Sequence, residues 1–296
     1  MKLGIIGLDC SHAVEFSRML NDPADREHIP GYRVTAAWPG RISKDFDMSR
    51  DRMESFTGQV SRLGVKLCGG IEEVMEQVDA VFLEQVDARL REEQLKRILP
   101  FGKPVFVDKP LALSADSARR ICRLARQWDC PVMSASSIRY SQGWQAALDQ
   151  CRGEVEAVDV YGPMPLTPTQ PGYFWYGVHM AEMLYEALGP GCQWVQARRQ
   201  GDQHLITAGW QGGRLVNIRG MGPQYPDFGG ALMAQGRRYC ADTGRDTRGY
   251  YACLLERILK MFESGQSPVS WEQMLETTCF LEAASRSMNS GDTIWL

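Results

Sequence analysis

Six short apolar runs, alternating with stretches of helical periodicity, fill the first 137 residues, and this alternation constrains the fold more than any other feature. The runs lie at residues 3–7, 33–38, 65–68, 79–83, 104–107 and 131–134, with helix-patterned stretches at 11–21, 49–62, 71–77, 90–99 and 114–128 between them. Strands apolar on both faces belong to parallel sheets covered by helices. The pattern therefore predicts an α/β domain over residues 1–137, a Rossmann-type doubly wound parallel sheet. Ligands of such sheets sit at the carboxyl ends of the strands. Here those ends are residues 7–12, 38–41, 84–87 and 108–110.

The pattern changes over residues 138–296. Helices are expected at 144–150, 176–188, 250–263 and 271–288, and strands at 155–161, 193–199, 204–210 and 214–219. Gly-Asp and Gly-Gly turns separate the last three strands, as in antiparallel hairpins. The second domain is expected to be α+β, an open antiparallel-rich sheet with helices on one face. With 44% hydrophobic and 23% charged residues the chain suits a globular protein. A net charge of −3 argues against a general nucleic-acid surface. The apolar runs are too short to span a membrane, and no signal peptide is expected. Nine cysteines, an odd number without a Cys-x-x-Cys pair, read as reduced thiols in a cytoplasmic protein.

The first strand runs into Gly7-Leu-Asp-Cys-Ser-His12 and then a helix, the opening of a nucleotide-binding unit. Relative to Gly-x-Gly-x-x-Gly, the second glycine is Asp9 and the third is His12. A carboxylate about 4 Å from a pyrophosphate would repel it by roughly 4 kcal/mol at an effective dielectric near 20, about three orders of magnitude in affinity. Asp9 can avoid this by turning away and bonding its own backbone. Protonated His12 can supply a counter-charge, and Ser11, expected as the helix N-cap, can bind phosphate with the helix amides. Cys10, at the same helix start, is read as a small turn residue in preference to a reactive thiolate. After the second strand, Trp38-Pro-Gly-Arg41 replaces the usual ribose-binding acid. Trp38 or Arg41 can stack on adenine, and Arg41, Ser43 and Lys44 can hold a 2′-phosphate; a solvated loop is the competing reading. Glu84 and Asp108 end the fourth and fifth strands, so they join the cofactor candidates. Lys109, beside Asp108, can stabilise a developing alkoxide. His179 is the acid/base candidate, with Tyr176 one turn earlier as a further donor and Glu182 one turn later to orient it. No metal is expected, because none of the four histidines pairs with another histidine or cysteine at ligand spacing.

Two of these segments carry a resemblance. Residues 102–112, with Asp108-Lys109-Pro110 at their centre, resemble the Glu-Lys-Pro segment of the glucose-fructose oxidoreductase / inositol dehydrogenase / MocA family. Gly177-Val-His179-Met-Ala-Glu182 is similar to its Gly-x-His-x-x-Asp helix, and residues 265–272 to its turn before the last helix. The resemblance implies an NAD or NADP cofactor and reversible oxidation of a secondary alcohol on a sugar, cyclitol or related small molecule. It also implies a homodimer or homotetramer built on the open sheet face. Lysine would polarise the reacting oxygen and histidine would move the proton. The chain departs from the pattern where Asp108 replaces glutamate and where Trp175 replaces the aspartate that often assists the histidine. Two alternatives stay open: an epimerase or lyase that keeps its cofactor tightly bound, and a cofactor-less ligand-binding protein.

Overall fold

The computed structural model describes residues 1–151 and 154–296. Backbone proximity divides the chain into two units: residues 1–112, 116–134 and 255–269, and residues 113–115, 135–254 and 270–296. The passage near 134–135 lies close to the boundary expected from composition. The return of 255–269 to the first unit was not expected.

The first unit contains β1 (Lys2–Ile6), α1 (Ser11–Asn21), β2 (Arg33–Trp38), α2 (Asp47–Arg50), α3 (Met53–Arg62), β3 (Lys66–Leu67), α4 (Ile71–Met75), β4 (Ala80–Leu83), α5 (Arg91–Ile98), β5 (Val105–Asp108), α6 (Ala115–Gln127) and β6 (Val132–Ala135). Its strands order as β3-β2-β1-β4-β5-β6, with β1 parallel to both β2 and β4. Chain order therefore reverses between β1 and β4, the switch point at which such sheets open a crevice. Leu3, Ile5, Phe82 and Phe106 have no solvent exposure, as the two-sided apolar runs require. α1 buries Ala13, Phe16, Met19 and Leu20 at helical spacing. The single helix expected at 49–62 is two helices, α2 and α3, interrupted at Asp51 and Arg52.

The second unit adds α7 (Gln142–Gln150), β7 (Ala157–Pro163), α8 (Gly177–Leu188), β8 (Cys192–Gln200), β9 (Gln203–Trp210), β10 (Arg214–Met221), β11 (Gly229–Ala234), β12 (Arg237–Asp242), α9 (Tyr250–Ser264), α10 (Trp271–Ser290) and β13 (Ile294–Trp295), with α9 crossing into the first unit at Leu255. The sheet order is β12-β11-β7-β10-β9-β8-β13, antiparallel except for the β7–β10 pair. Alternating burial along β9 and β10 leaves one face open and turns the other onto a core around Trp144, Tyr173, Tyr185, Trp210 and Phe280. Among the described residues no helix is long and apolar enough to cross a membrane.

Candidate cofactor and active site

The turn after β1 keeps the backbone that a dinucleotide requires. Gly7 has φ +92°, and a Cβ there would lie 2.3 Å from the Gln85 backbone nitrogen, so only glycine fits. The next four residues reach α1, whose cap position is Cys10 (φ −102°, ψ 144°) and which no side chain caps. Ser11 is therefore the first helical residue and not the N-cap expected, because the extended residue falls one position earlier.

Asp9 does not face outward. It is fully buried, and its carboxylate accepts hydrogen bonds from Ser49 Oγ (2.6 Å), Gln85 Nε2 (2.5 Å) and the Val86 amide (2.8 Å). Burial pushes its pKa up, while Ser49 and Val86 act against the shift. The carboxylate thus bonds the Val86 amide at β4's exit as well as its own backbone. Gln85 also donates to the Arg41 carbonyl (3.0 Å) and accepts from the Arg41 amide (3.1 Å), tying the loop after β2 to the turn. A glycine conformation retained at Gly7 and an acid turned inward fit a pyrophosphate at the start of α1.

His12 is not available as a counter-charge for a ligand. It is buried, stacks on Phe16 with ring centroids 5.3 Å apart, and directs Nδ1 at Asp108 Oδ1 (3.0 Å) and Glu84 Oε2 (3.4 Å). Burial opposes its charge, but the neighbouring Asp108 carboxylate, by charge and hydrogen bond, acts the other way, and its pKa is raised well above the ordinary value. Asp108 is held low: burial alone would raise it, and the His12 and Lys109 charges reverse the sign. Burial pushes Glu84 up. The Cys10 thiol lies 3.6 Å from Asp108 Oδ2, and burial raises its pKa as well, so it is no reactive thiolate.

Two of the three expected 2′-phosphate ligands have acidic partners. Ser43 Oγ donates to Asp87 (2.5 Å), and exposed Arg41 pairs with Glu93 at 3.2 Å. Trp38 is half-buried at the end of β2. Lys109 is half-buried just beyond β5, next to Asp108.

In the second unit His179 lies on the first turn of α8, buried, with Nδ1 2.6 Å from Ser136 Oγ. Ser136 accepts the Ile138 amide (3.1 Å). Tyr176, at the cap position of α8, meets the imidazole edge-on at 5.4 Å and stacks with Phe228 at 6.5 Å. Glu182 does not orient His179; its carboxylate accepts from buried Arg139 (2.7 Å), which also pairs with Glu186 (2.6 Å). Trp175 packs against Tyr176. Ser136, Ser49 and Gln85 were not among the sequence candidates. Positions just after β4 and β6 could have raised Gln85 and Ser136, but Ser49 lies within α2 and carries no such signal. A cavity of about 640 Å³ lined by Gln142, Asp159, Tyr161, Asp242 and Arg245 contains none of the predicted residues.

Fold and turn together define a Rossmann-type protein with an appended open-sheet unit. Residues 1–136 match the model of the GFO_IDH_MocA family, described as an oxidoreductase family with an NAD-binding Rossmann fold. An inositol 2-dehydrogenase of Cereibacter sphaeroides is 28% identical over 178 residues, which is 59% of this chain and 48% of that protein. The chain thus spans about half the length of the curated relatives it matches. Over its full length it shares a fold with a probable dehydrogenase of Thermotoga maritima (TM-score 0.79, 17% identity, 98% of that chain covered). The same holds for a myo-inositol dehydrogenase of Lactobacillus casei solved with NAD(H) and myo-inositol (TM-score 0.78, 15% identity, 96% of that chain covered) and for GenD2 of gentamicin A biosynthesis solved with NAD (TM-score 0.81, 16% identity, 96% of that chain covered).

Proposed function

We propose that the protein is an NAD-dependent dehydrogenase acting on a secondary alcohol or ketone of a cyclitol, sugar or related small polyol. The observation that carries this reading is the inward carboxylate of Asp9, which removes the electrostatic objection to a pyrophosphate at α1. The family description and the NAD(H) held by related structures support the cofactor. The engagement of Ser43 and Arg41 by acidic partners supports NAD over NADP. When bound, the nicotinamide accepts or returns the hydride.

The chain's own residues handle charge and protons. Lys109 polarises the substrate oxygen and stabilises alkoxide character. His179 exchanges the hydroxyl proton at Nε2, because Nδ1 is taken by Ser136. The serine hydroxyl can donate to an unprotonated Nδ1 or accept from a protonated one, so it serves both reaction directions. Ser136 thereby stands where the family's aspartate is missing, and weakens the case for a member without net redox. Glu84, Asp108, Cys10 and His12 act in this reading beneath the turn and not on the substrate.

The test is titration with NADH and with NADPH by fluorescence, then a panel of inositols and sugars followed at the nicotinamide absorbance. NADH should bind more tightly than NADPH, and at least one polyol should turn over. Lys109→Ala and His179→Ala should each lower kcat by about 10²-fold or more. Failure of both nucleotides to bind at millimolar concentration would overturn the reading. Binding without absorbance change, together with isomerised product, would favour the epimerase alternative.

A further inference from the structure

We propose that Cys10, His12, Glu84 and Asp108 bind one divalent cation of the zinc class, which pins the start of α1 to the ends of β4 and β5. The ligands come from three segments that the sheet brings together at its switch point: the β1–α1 turn, the exit of β4 and the exit of β5. Their potential ligand atoms all lie within 4.8 Å of one another.

The spacings match a tetrahedral site. Zn–N and Zn–O bonds of about 2.0 Å and a Zn–S bond of about 2.3 Å put N···O edges near 3.3 Å and S···O edges near 3.5 Å. The structure has 3.4 Å from His12 Nδ1 to Glu84 Oε2, 3.0 Å from His12 Nδ1 to Asp108 Oδ1, and 3.6 Å from Cys10 Sγ to Asp108 Oδ2. Asp108 offers Oδ1 to His12 and Oδ2 to Cys10, so a four-coordinate cation needs its carboxylate to turn until one oxygen serves the metal.

A second observation asks for a cation. Glu84 is completely buried; its carboxylate faces the His12 Nδ1 that Asp108 also approaches, at 3.4 Å, and neither oxygen makes a hydrogen bond of ordinary geometry among the described residues. Buried carboxylates are ordinarily bonded, paired or coordinated to metal. Asp108, 1% exposed, adds a second carboxylate to the same enclosure. The nearby guanidinium of Arg91, itself fully buried, donates no hydrogen bond among the described residues, so it supplies charge without filling the coordination gap.

One thiolate, one imidazole and two carboxylates suit zinc or cobalt better than calcium or magnesium, which prefer oxygen alone. Four protein ligands in a buried site make it a structural centre and not a catalytic one. Loading exchanges the cation for the thiol proton and the imidazolium proton, leaving the net charge of the four side chains plus cation unchanged. A metal at this place would hold the first turn of α1 against the sheet, a contact that the glycine at the third fingerprint position makes by close packing.

The experiment uses full-length protein without a histidine tag. Metal content is measured by mass spectrometry as purified. After chelator dialysis, Co²⁺ is titrated while thiolate-to-cobalt charge-transfer and d–d absorption are recorded, and the zinc dependence of Tm is measured. The expected result is one equivalent of metal, a tetrahedral thiolate–cobalt spectrum and a Tm that rises until one equivalent. Cys10→Ser should lose the charge-transfer band. Glu84→Gln, nearly isosteric and checked for folding by circular dichroism, should weaken cobalt binding at least tenfold while keeping that band at saturation. Wild-type protein that binds well under one equivalent, with no cobalt spectrum and an unmoved Tm, overturns the proposal and leaves an imidazolium held between two carboxylates. A full charge-transfer band in folded Cys10→Ser overturns it too, because the thiolate would then be one of the other eight. None of these readouts involves a dinucleotide, so their failure is separate from failure of the dehydrogenase reading.

Discussion

A carboxylate at the second fingerprint position repels pyrophosphate only if it faces it. Asp9 faces the sheet, where Ser49, Gln85 and the Val86 amide hold it. Restoring the ordinary motif should therefore harm the protein. Asp9→Gly leaves three donors without their acceptor, each costing about 1–3 kcal/mol when buried. We expect a loss of at least about 3 kcal/mol, seen as a lower urea midpoint, with no gain in NADH affinity. A higher midpoint, or tighter binding, would show that Asp9 acts on the ligand after all. Residue identity alone made Asp9 legible as a problem. Its solution was hidden, because Ser49 and Gln85 lie 40 and 76 positions away and belong to no local pattern. His12 is the same case. Its charge partners, Glu84 and Asp108, were separately visible at strand ends, but their convergence on one imidazole follows only from strand order.

At the scale of elements, periodicity located the parallel strands well, because burial on both faces leaves no room for polar residues. It missed the β11–β12 hairpin. β11 opens with two glycines, which read as a turn by propensity. In place, a Cβ on Gly230 would lie 2.5 Å from the Asp159 carbonyl, so close strand packing and not propensity sets the residue. The 3₁₀ turn at Ser137–Tyr140 was likewise unseen, though it carries Arg139 to α8. That contact is a buried ion pair, with Arg139 2% and Glu182 4% exposed. Removing one partner strands the other's charge. Arg139→Ala should cost about 3–5 kcal/mol by urea unfolding, whereas Arg139→Met combined with Glu182→Leu and Glu186→Gln, which removes both carboxylate partners, should recover most of it. Equal losses in the single and the combined variant would mean that packing, and not charge, dominates. Because Ser136 precedes this turn, the single variant should also lower kcat more than it raises KM.

For the whole molecule, a single cut near residue 137 described the composition but not the packing. The chain visits the first unit again at 255–269. The sequence shows α9 as amphipathic, yet an apolar stripe does not state which core it joins. Phe262 answers: it is 4% exposed and meets Phe82, on β4, edge-on at 5.1 Å. Tyr32 also donates a hydrogen bond to Glu263. The first unit is thus completed by a segment made long after its own sheet, and its stability depends on that late segment. Phe262→Ala should destabilise the protein by about 3–5 kcal/mol and raise amide exchange in β4 and β5, not only in α9. A fragment ending at residue 137 should bind ANS and unfold without a cooperative transition, since Phe82 loses its cover. Cooperative unfolding of that fragment at the full chain's midpoint would mean that the first unit is self-sufficient and that 255–269 is merely attached to it.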